Sequence, residues 1–237
     1  LHRYIYEMLD YAVKNSGTMI TLTTNGTLLT PSRIDKLLDT GVNVIDISTD
    51  AFKDETYEKI RVNGDLKVVR QNILNLIKRN KERGNIAKII LSFIEQPQNE
   101  GEGPLFEQFW KEAGADYVVV RRLHSGAGAV KELAQDLVKE ADAEVRTPCL
   151  YPWERIILNP RGELVFCPQA WVHGSVITDY RETTVKEVWQ SQFYKDLREA
   201  HMCNKYGKHA FCGNCPDWKQ TRWPDEGRSY ANMVEEF

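Results

Sequence analysis

Five cysteines carry most of the chemistry this sequence can offer, and all lie after residue 148: Cys149, Cys167, Cys203, Cys212 and Cys215. Cys212-Gly213-Asn214-Cys215 is a C-x-x-C, whose short turn aims two side chains at one metal ion or cluster. Cys149 and Cys167 flank a predicted β-hairpin, with strands from Arg155 to Leu158 and from Glu163 to Phe166 around Asn159-Pro160-Arg161-Gly162. A hairpin with one Cys before its first strand and another after its second brings two more sulfurs to the same point. Four sulfurs can therefore meet, with Cys203 left over. Disulfides need an oxidising compartment, which an enzyme-like α/β body without secretory features does not suggest. Zinc and an iron–sulfur cluster both take four thiolates and stay open on spacing alone. Zinc ribbons, however, usually offer two C-x-x-C knuckles, and this chain has one.

Weaker signals lie elsewhere. Glu95, Gln96, Arg121 and Arg122 end or follow predicted strands and are candidates to face a substrate. Neighbours on a strand point to opposite faces, so at most one of Arg121 and Arg122 points inward. His124 and His173 read as hydrogen-bonding histidines rather than ligands. Trp153, Trp171, Trp189 and Trp218 read as packing for a small C-terminal core.

The elements that must position these residues alternate through the first 120 positions. An amphipathic helix with Leu1, Ile5, Met8, Leu9, Ala12 and Val13 on one face opens the chain. A strand from Thr18 to Thr23 ends at the turn pair Asn25-Gly26. A helix begins at Pro31 and stops at Gly41, with proline and glycine where helices prefer them. A strand follows from Val42 to Ser48, then a short helix near Glu55 to Arg61. A longer helix presents Leu66, Val69, Ile73, Leu76 and Ile77 on one face and ends at Gly84. Ile86 to Ile94 reads as a strand, Pro104 to Ala113 as a helix and Tyr117 to Val120 as a strand. Strand–helix–strand at this spacing predicts βαβ units, a parallel sheet and a site at the C-terminal strand ends. Beyond the hairpin, helices are predicted near Val185 to Gln190 and Phe193 to His201.

Hydrophobic residues at 42% and charged residues at 27% are ordinary for a globular chain. A formal net charge of -3 gives no basic excess to grip a phosphate backbone, so no nucleic-acid partner is expected. Apolar runs are as short as Val118-Val119-Val120, so no membrane span is expected and a cytoplasmic location is. Leu1 opens directly into a helix, and the chain is read as a fragment of a longer protein.

From Cys149 onward the sequence resembles the SPASM/twitch extension of radical S-adenosylmethionine (radical SAM) enzymes. Cys149, Gly162 and Cys167 match its C-x(9–15)-G-x4-C. The stretch Trp171 through His173-Gly174-Ser175-Val176 to Val185-Lys186-Glu187-Val188-Trp189-Gln190-Ser191 resembles its strand and helix, and Leu197-Arg198 the pair before its closing C-x-x-C. Too few cysteines are present for two auxiliary clusters, so the resemblance is to the single-cluster twitch type. It implies one [4Fe-4S] auxiliary cluster on Cys149, Cys167, Cys212 and Cys215, with Cys203 a possible substitute.

The first 125 residues resemble the radical SAM barrel. Thr23-Thr24-Asn25-Gly26 is similar to the TNG motif at the end of the third strand, Ile47-Ser48-Thr49-Asp50 to the motif after the fourth, and Ile60-Arg61 to the pair that follows. The family's C-x3-C-x2-C and G-G-E are not among these residues, and the resemblance implies that the chain starts just after them. The expected fold is α/β: a partial radical SAM (β/α) barrel lacking its first strands over 1–125, a connecting segment over 126–148, and a SPASM/twitch module over 149–237.

The resemblance further implies cofactor contacts for S-adenosylmethionine. Thr24 and Asn25 would lie near the methionine or ribose, Ser48 and Arg61 at the carboxylate, Asp50 at the same strand end and Leu123 at the adenine. The expected parent is a radical SAM enzyme that abstracts hydrogen with a 5′-deoxyadenosyl radical. Its auxiliary cluster would transfer an electron, its substrate would be a sugar, an aminocyclitol or a peptide, and its donor a flavodoxin or ferredoxin. Without the catalytic-cluster cysteines this chain alone is expected to be inactive. The alternative is a zinc-stabilised binding module or a degenerate partner protein.

Overall fold

The computed structural model describes residues 2–134, 146–169 and 175–220. The chain divides into two compact units, Leu1–Leu123 and His124–Phe237. In the first, helices and strands alternate: α1 (Ile5–Asn15), β1 (Thr21–Thr24), α2 (Pro31–Asp39), β2 (Val44–Ser48), α3 (Asp54–Ile60), α4 (Leu66–Glu82), β3 (Lys88–Glu95), α5 (Gly103–Ala113) and β4 (Tyr117–Arg122). Among the described residues the strands form one parallel sheet in the order β1-β2-β3-β4, so the α/β expectation holds.

Local chemistry sets the element ends. Pro31 opens α2 after the extended Thr30. The Asp65 carboxylate accepts the Val68 N–H at 3.1 Å to cap α4. Gly114, at φ 96°, ends α5 in the left-handed conformation. β1 starts at Thr21 rather than Thr18, because Thr18 turns back on the Ser16 hydroxyl through its N–H at 3.2 Å and its own hydroxyl at 3.0 Å. On α1, Leu9 is buried but Met8 is 56% exposed, since Met8 lies at the margin of the apolar stripe that Ile5, Leu9 and Ala12 define.

The register gives the sheet two unlike faces. Ile45 and Ile47 on β2, Ile89, Leu91 and Phe93 on β3, and Val118 on β4 form the core with Ile34, Leu37, Ile73, Leu76, Phe106 and Trp110 of the helices. At roughly 25 cal/mol per Å² this burial is the main stabilising term of the unit. The opposite face carries Thr21 and Thr23, Asp46 and Ser48, Ser92, and Arg121, by strict alternation from the paired register. On this second face the polar groups stand among buried Val44 and Ile90.

The second unit is built around α6 (Tyr151–Glu154), a small antiparallel sheet of β5 (Ile157–Leu158), β6 (Glu163–Val165) and β7 (Val176–Asp179), α7 (Val185–Trp189), α8 (Gln192–Met202) and α9 (Ala210–Gly213). The hairpin turn forms because the Asn159 side-chain oxygen accepts the N–H groups of Arg161 at 2.9 Å and Glu163 at 3.1 Å, while Gly162 takes φ 86°. Thr184 and Glu187 close a reciprocal capping box at the start of α7. Leu164, Phe166, Val188, Tyr194, Leu197 and Cys212 make the core. Arg198 pins it, donating to the carbonyls of Pro152 at 3.0 Å and Trp189 at 3.2 Å. Cys212 lies in the helical turn α9 rather than in a plain loop. Trp171 and His173 lie outside the described residues.

Candidate functional site

The C-terminal ends of β1 to β3 gather a polar cluster. Ser48 closes β2, and Asp50 two residues on adopts φ 59°, a conformation that asparagine and aspartate tolerate best after glycine. Asn99 holds this bend, donating from Nδ2 to the Asp50 and Ile94 carbonyls at 2.8 Å each. The Asp50 carboxylate accepts the Ile94 N–H at 3.0 Å and the Ser48 hydroxyl at 3.2 Å. Arg61, just past α3, brings its guanidinium to both: it pairs with Asp50 and donates to Ser48 Oγ at 3.2 Å. Its Nε is buried and has no acceptor. Ser48, Asp50 and Arg61 are thus one hydrogen-bonded group.

Thr24 and Asn25 stand at the end of β1. Their side chains accept the N–H groups of Gly26 at 3.3 Å and Thr27 at 3.1 Å. Gly26 needs φ 75°, and a Cβ there would meet Val69 at 3.2 Å and Ile47 at 3.3 Å. Asn72 of α4 fixes the turn from below, donating to the Gly26 carbonyl at 3.1 Å. On the polar face of the sheet, the Ser92 hydroxyl donates to buried Asp46 at 2.6 Å and Arg121 approaches Ser92 at 3.4 Å. Burial pushes the Asp46 carboxyl above the usual range, against the Ser92 hydrogen bond and the Arg121 charge. Arg121 therefore lies on the same face as Ser92 and Asp46, and Arg122 on the opposite one. Leu123 follows β4, its N–H donating to the Glu95 carbonyl at 3.1 Å.

In the second unit, Cys149, Cys167, Cys212 and Cys215 line a single cavity, with Arg146, Tyr151, Phe166, His201 and Trp218 among its other walls. Cys203 caps α8, is exposed and does not line it. Burial raises the Cys212 thiol, and its three cysteine neighbours raise it further; burial pushes the Cys215 thiol up to about 12. Four thiols crowded together, Cys212 among them buried, need a cationic group before they can ionise together.

Arg146 braces the C-x-x-C, donating to the carbonyls of Cys212 at 2.5 Å and Gly213 at 2.8 Å. Its guanidinium stacks on the Tyr206 ring at 4.4 Å. His201, on α8, accepts the Cys149 N–H at Nδ1 at 3.3 Å. Burial first, and Arg146 and His209 after it, hold its pKa down to about 4, so the ring is neutral at physiological pH. Asp217 is also buried and accepts the N–H groups of Ser125 at 2.8 Å and Ala127 at 2.7 Å and the Ser125 hydroxyl at 2.9 Å. None of Arg146, His201 and Asp217 stood out in the sequence. Their importance comes from contacts with residues 52 to 92 positions away, which no local pattern reports.

Two family models match the chain. That of the radical SAM superfamily covers residues 1–99, and that of the SPASM iron-sulfur cluster-binding domain covers residues 149–216. The chain belongs to the radical SAM superfamily and carries a SPASM domain. A search of the curated proteins returned no match. Among solved structures, Streptococcus suis SuiB bound to precursor peptide SuiA is similar at 13% identity and a TM-score of 0.60, covering 98% of this chain and 60% of that one. A second structure of SuiB is similar at 14% identity and a TM-score of 0.58, covering 98% and 61%. This likeness is one of fold, and the chain spans about 60% of the length of the chains it matches.

Radical SAM and SPASM membership implies S-adenosylmethionine and iron–sulfur clusters as cofactors, and the residues present fit them. Among the described residues no three His, Cys, Asp or Glu side chains stand as a single metal ion would need them. Cys149, Cys167, Cys212 and Cys215 border one shared space and supply the four thiolates that an iron–sulfur cluster takes. In the first unit, the Arg61 guanidinium, which donates from Nη2 to the Ser48 hydroxyl and leaves its Nε unpartnered, suits a carboxylate.

Proposed function

We propose that this chain supplies two of the sites of a radical SAM enzyme that modifies a peptide. The observation that carries this reading is the gathering of Cys149, Cys167, Cys212 and Cys215 around one cavity in a chain that also assembles Ser48, Asp50 and Arg61 at the end of β2. When bound, S-adenosylmethionine and its cluster supply hydrogen abstraction by a 5′-deoxyadenosyl radical. Ser48 and Arg61 hold the methionine carboxylate, and Asp50 keeps Arg61 in place through its ion pair. Asn25 and Thr24, at the end of the neighbouring strand, contact the methionine or ribose, and Leu123 the adenine. The four cysteines hold one auxiliary cluster. With all four irons ligated by protein, its role is to accept or pass an electron rather than to bind substrate. A flavodoxin or ferredoxin serves as donor. The peptide substrate is supported by the fold shared with SuiB, whose structure holds its precursor peptide.

The test is anaerobic reconstitution with iron and sulfide, followed by metal analysis and EPR. About four irons and four sulfides per chain are expected, lost when Cys212 and Cys215 are both replaced by alanine and retained on Cys203→Ala. The protein from its complete reading frame, reduced with dithionite, should form 5′-deoxyadenosine from S-adenosylmethionine. About one zinc without sulfide would overturn the reading in favour of a structural zinc module.

A further inference from the structure

Two buried N–H groups belonging to walls of the cysteine-lined cavity have no hydrogen-bond acceptor: Arg146 Nε and His201 Nε2. An unmade hydrogen bond in a buried place costs about 1–3 kcal/mol, so such donors are rare without an external acceptor. Their positions are not accidents of loose packing. The opposite edge of the Arg146 guanidinium is committed to the Cys212 and Gly213 carbonyls, and its face to Tyr206. The His201 ring is held edge-to-face against Tyr206 and Trp153, with centroids at 5.1 and 6.1 Å. Its Nδ1 accepts the Cys149 N–H and faces the Tyr206 hydroxyl at 3.3 Å. An imidazole whose Nδ1 accepts a hydrogen bond carries its proton on Nε2. Both residues are thus fixed by contacts with the cysteine segments, each with a buried donor that has no acceptor.

We infer that Arg146 Nε–H and His201 Nε2–H donate hydrogen bonds to sulfurs of the auxiliary cluster and raise its reduction potential. This rests on the assignment of Cys149, Cys167, Cys212 and Cys215 as its ligands. Reduction adds negative charge to the cluster, and N–H groups or a guanidinium charge beside the sulfurs stabilise the reduced form over the oxidised one. Neither residue touches substrate in this account. They tune and position.

Three substitutions, two of them paired at His201, separate the donor from the rest of each side chain. His201→Asn keeps an acceptor for the Cys149 N–H but loses the Nε2 donor, whereas His201→Gln keeps a donor at the Nε2 position. Arg146→Lys keeps the charge and loses the Nε–H. In the reconstituted protein, EPR-monitored titration should show the reduced-to-oxidised ratio at fixed potential falling about tenfold in His201→Asn and in Arg146→Lys, a shift of 59 mV for a one-electron couple. His201→Gln should stay near the parent. In D₂O, pulsed EPR of the reduced parent protein should show exchangeable deuterons coupled to the cluster. Unchanged potentials at full iron and sulfide content would overturn the inference and leave the ligand assignment standing. Should the variants fail to load, absence of deuteron coupling in the parent protein would overturn it instead. A parent protein holding no iron would overturn both.

Discussion

Arg61 makes its contacts with Ser48 and Asp50 from 13 and 11 positions away, and the two hydrogen bonds differ in kind. The bond to Asp50 holds the side chain, and the bond to Ser48 Oγ sets a hydroxyl against the same Nη2, while Nε has no acceptor. Lysine keeps the charge but not the planar fork. Arg61→Lys should therefore raise the Kd for S-adenosylmethionine by roughly tenfold and Arg61→Ala by roughly a hundredfold, in line with about 1.5–3 kcal/mol for a charge-assisted hydrogen bond; equilibrium dialysis would measure both.

Asp46 gives a pH effect of definite sign. Its folded pKa is raised by burial, so its contribution to stability is fully present below the ordinary carboxylate pKa and is lost as pH rises through the raised folded value. Asp46→Asn should melt higher than the parent at pH 7 and converge with it in acid. A variant that melts lower at pH 7 would show that the Arg121 charge outweighs burial. Ser48, Asp50 and Arg61 were visible in the sequence only through family resemblance, since a serine and an arginine this far apart carry no spacing signal. Arg146 and His201 were not visible at all, because their function lies in the atoms left over after other contacts are made.

Helices and strands of the first unit were largely legible because period-3.6 and period-2 patterns alternate cleanly and proline and glycine mark the ends. Strand limits moved where side chains competed with the ladder, as at Thr18, or where pairing outlasted the apolar run, as at Arg121 and Arg122 of β4. The second unit was harder to read from periodicity. α6 and α9 are single turns, too short to show a period, and β7 is signalled only by family resemblance and by its pairing with β6. At this scale Gly26 is the sharpest constraint. A methyl there must push Val69 and Ile47 aside while its backbone stays at φ 75°. Gly26→Ala should cost roughly 1–3 kcal/mol. It should lower Tm by a few degrees, about 2–4 °C per kcal/mol, and displace Asn25 from its place at the strand end.

The two compact units draw stability from different sources. Leu1–Leu123 has a continuous apolar core from Leu9 to Trp110, whereas the core cluster of the second unit includes Cys212 itself. Small cores lean on metal groups, whose binding free energy becomes folding free energy. Stripping iron with a chelator should therefore abolish amide protection in the hairpin and α8 while leaving β2, β3 and α4 protected, which hydrogen exchange with mass spectrometry would resolve. Loss of protection in both units together would contradict separate stabilisation.

Asp217 adds a consequence in time. It clamps Ser125 and Ala127 across 92 and 90 positions, so the first and nearly the last described residues of the second unit are tied at one point. On the ribosome, Leu1–Leu123 can complete its sheet while the rest is still being made. The second unit cannot: its opening loop waits for residue 217, and the cavity for Cys212 and Cys215 just before it. A cell making this chain would have to keep the hairpin and Cys149 and Cys167 out of wrong pairings until residue 217 has emerged, and a cluster held by the four cysteines could be built only after that.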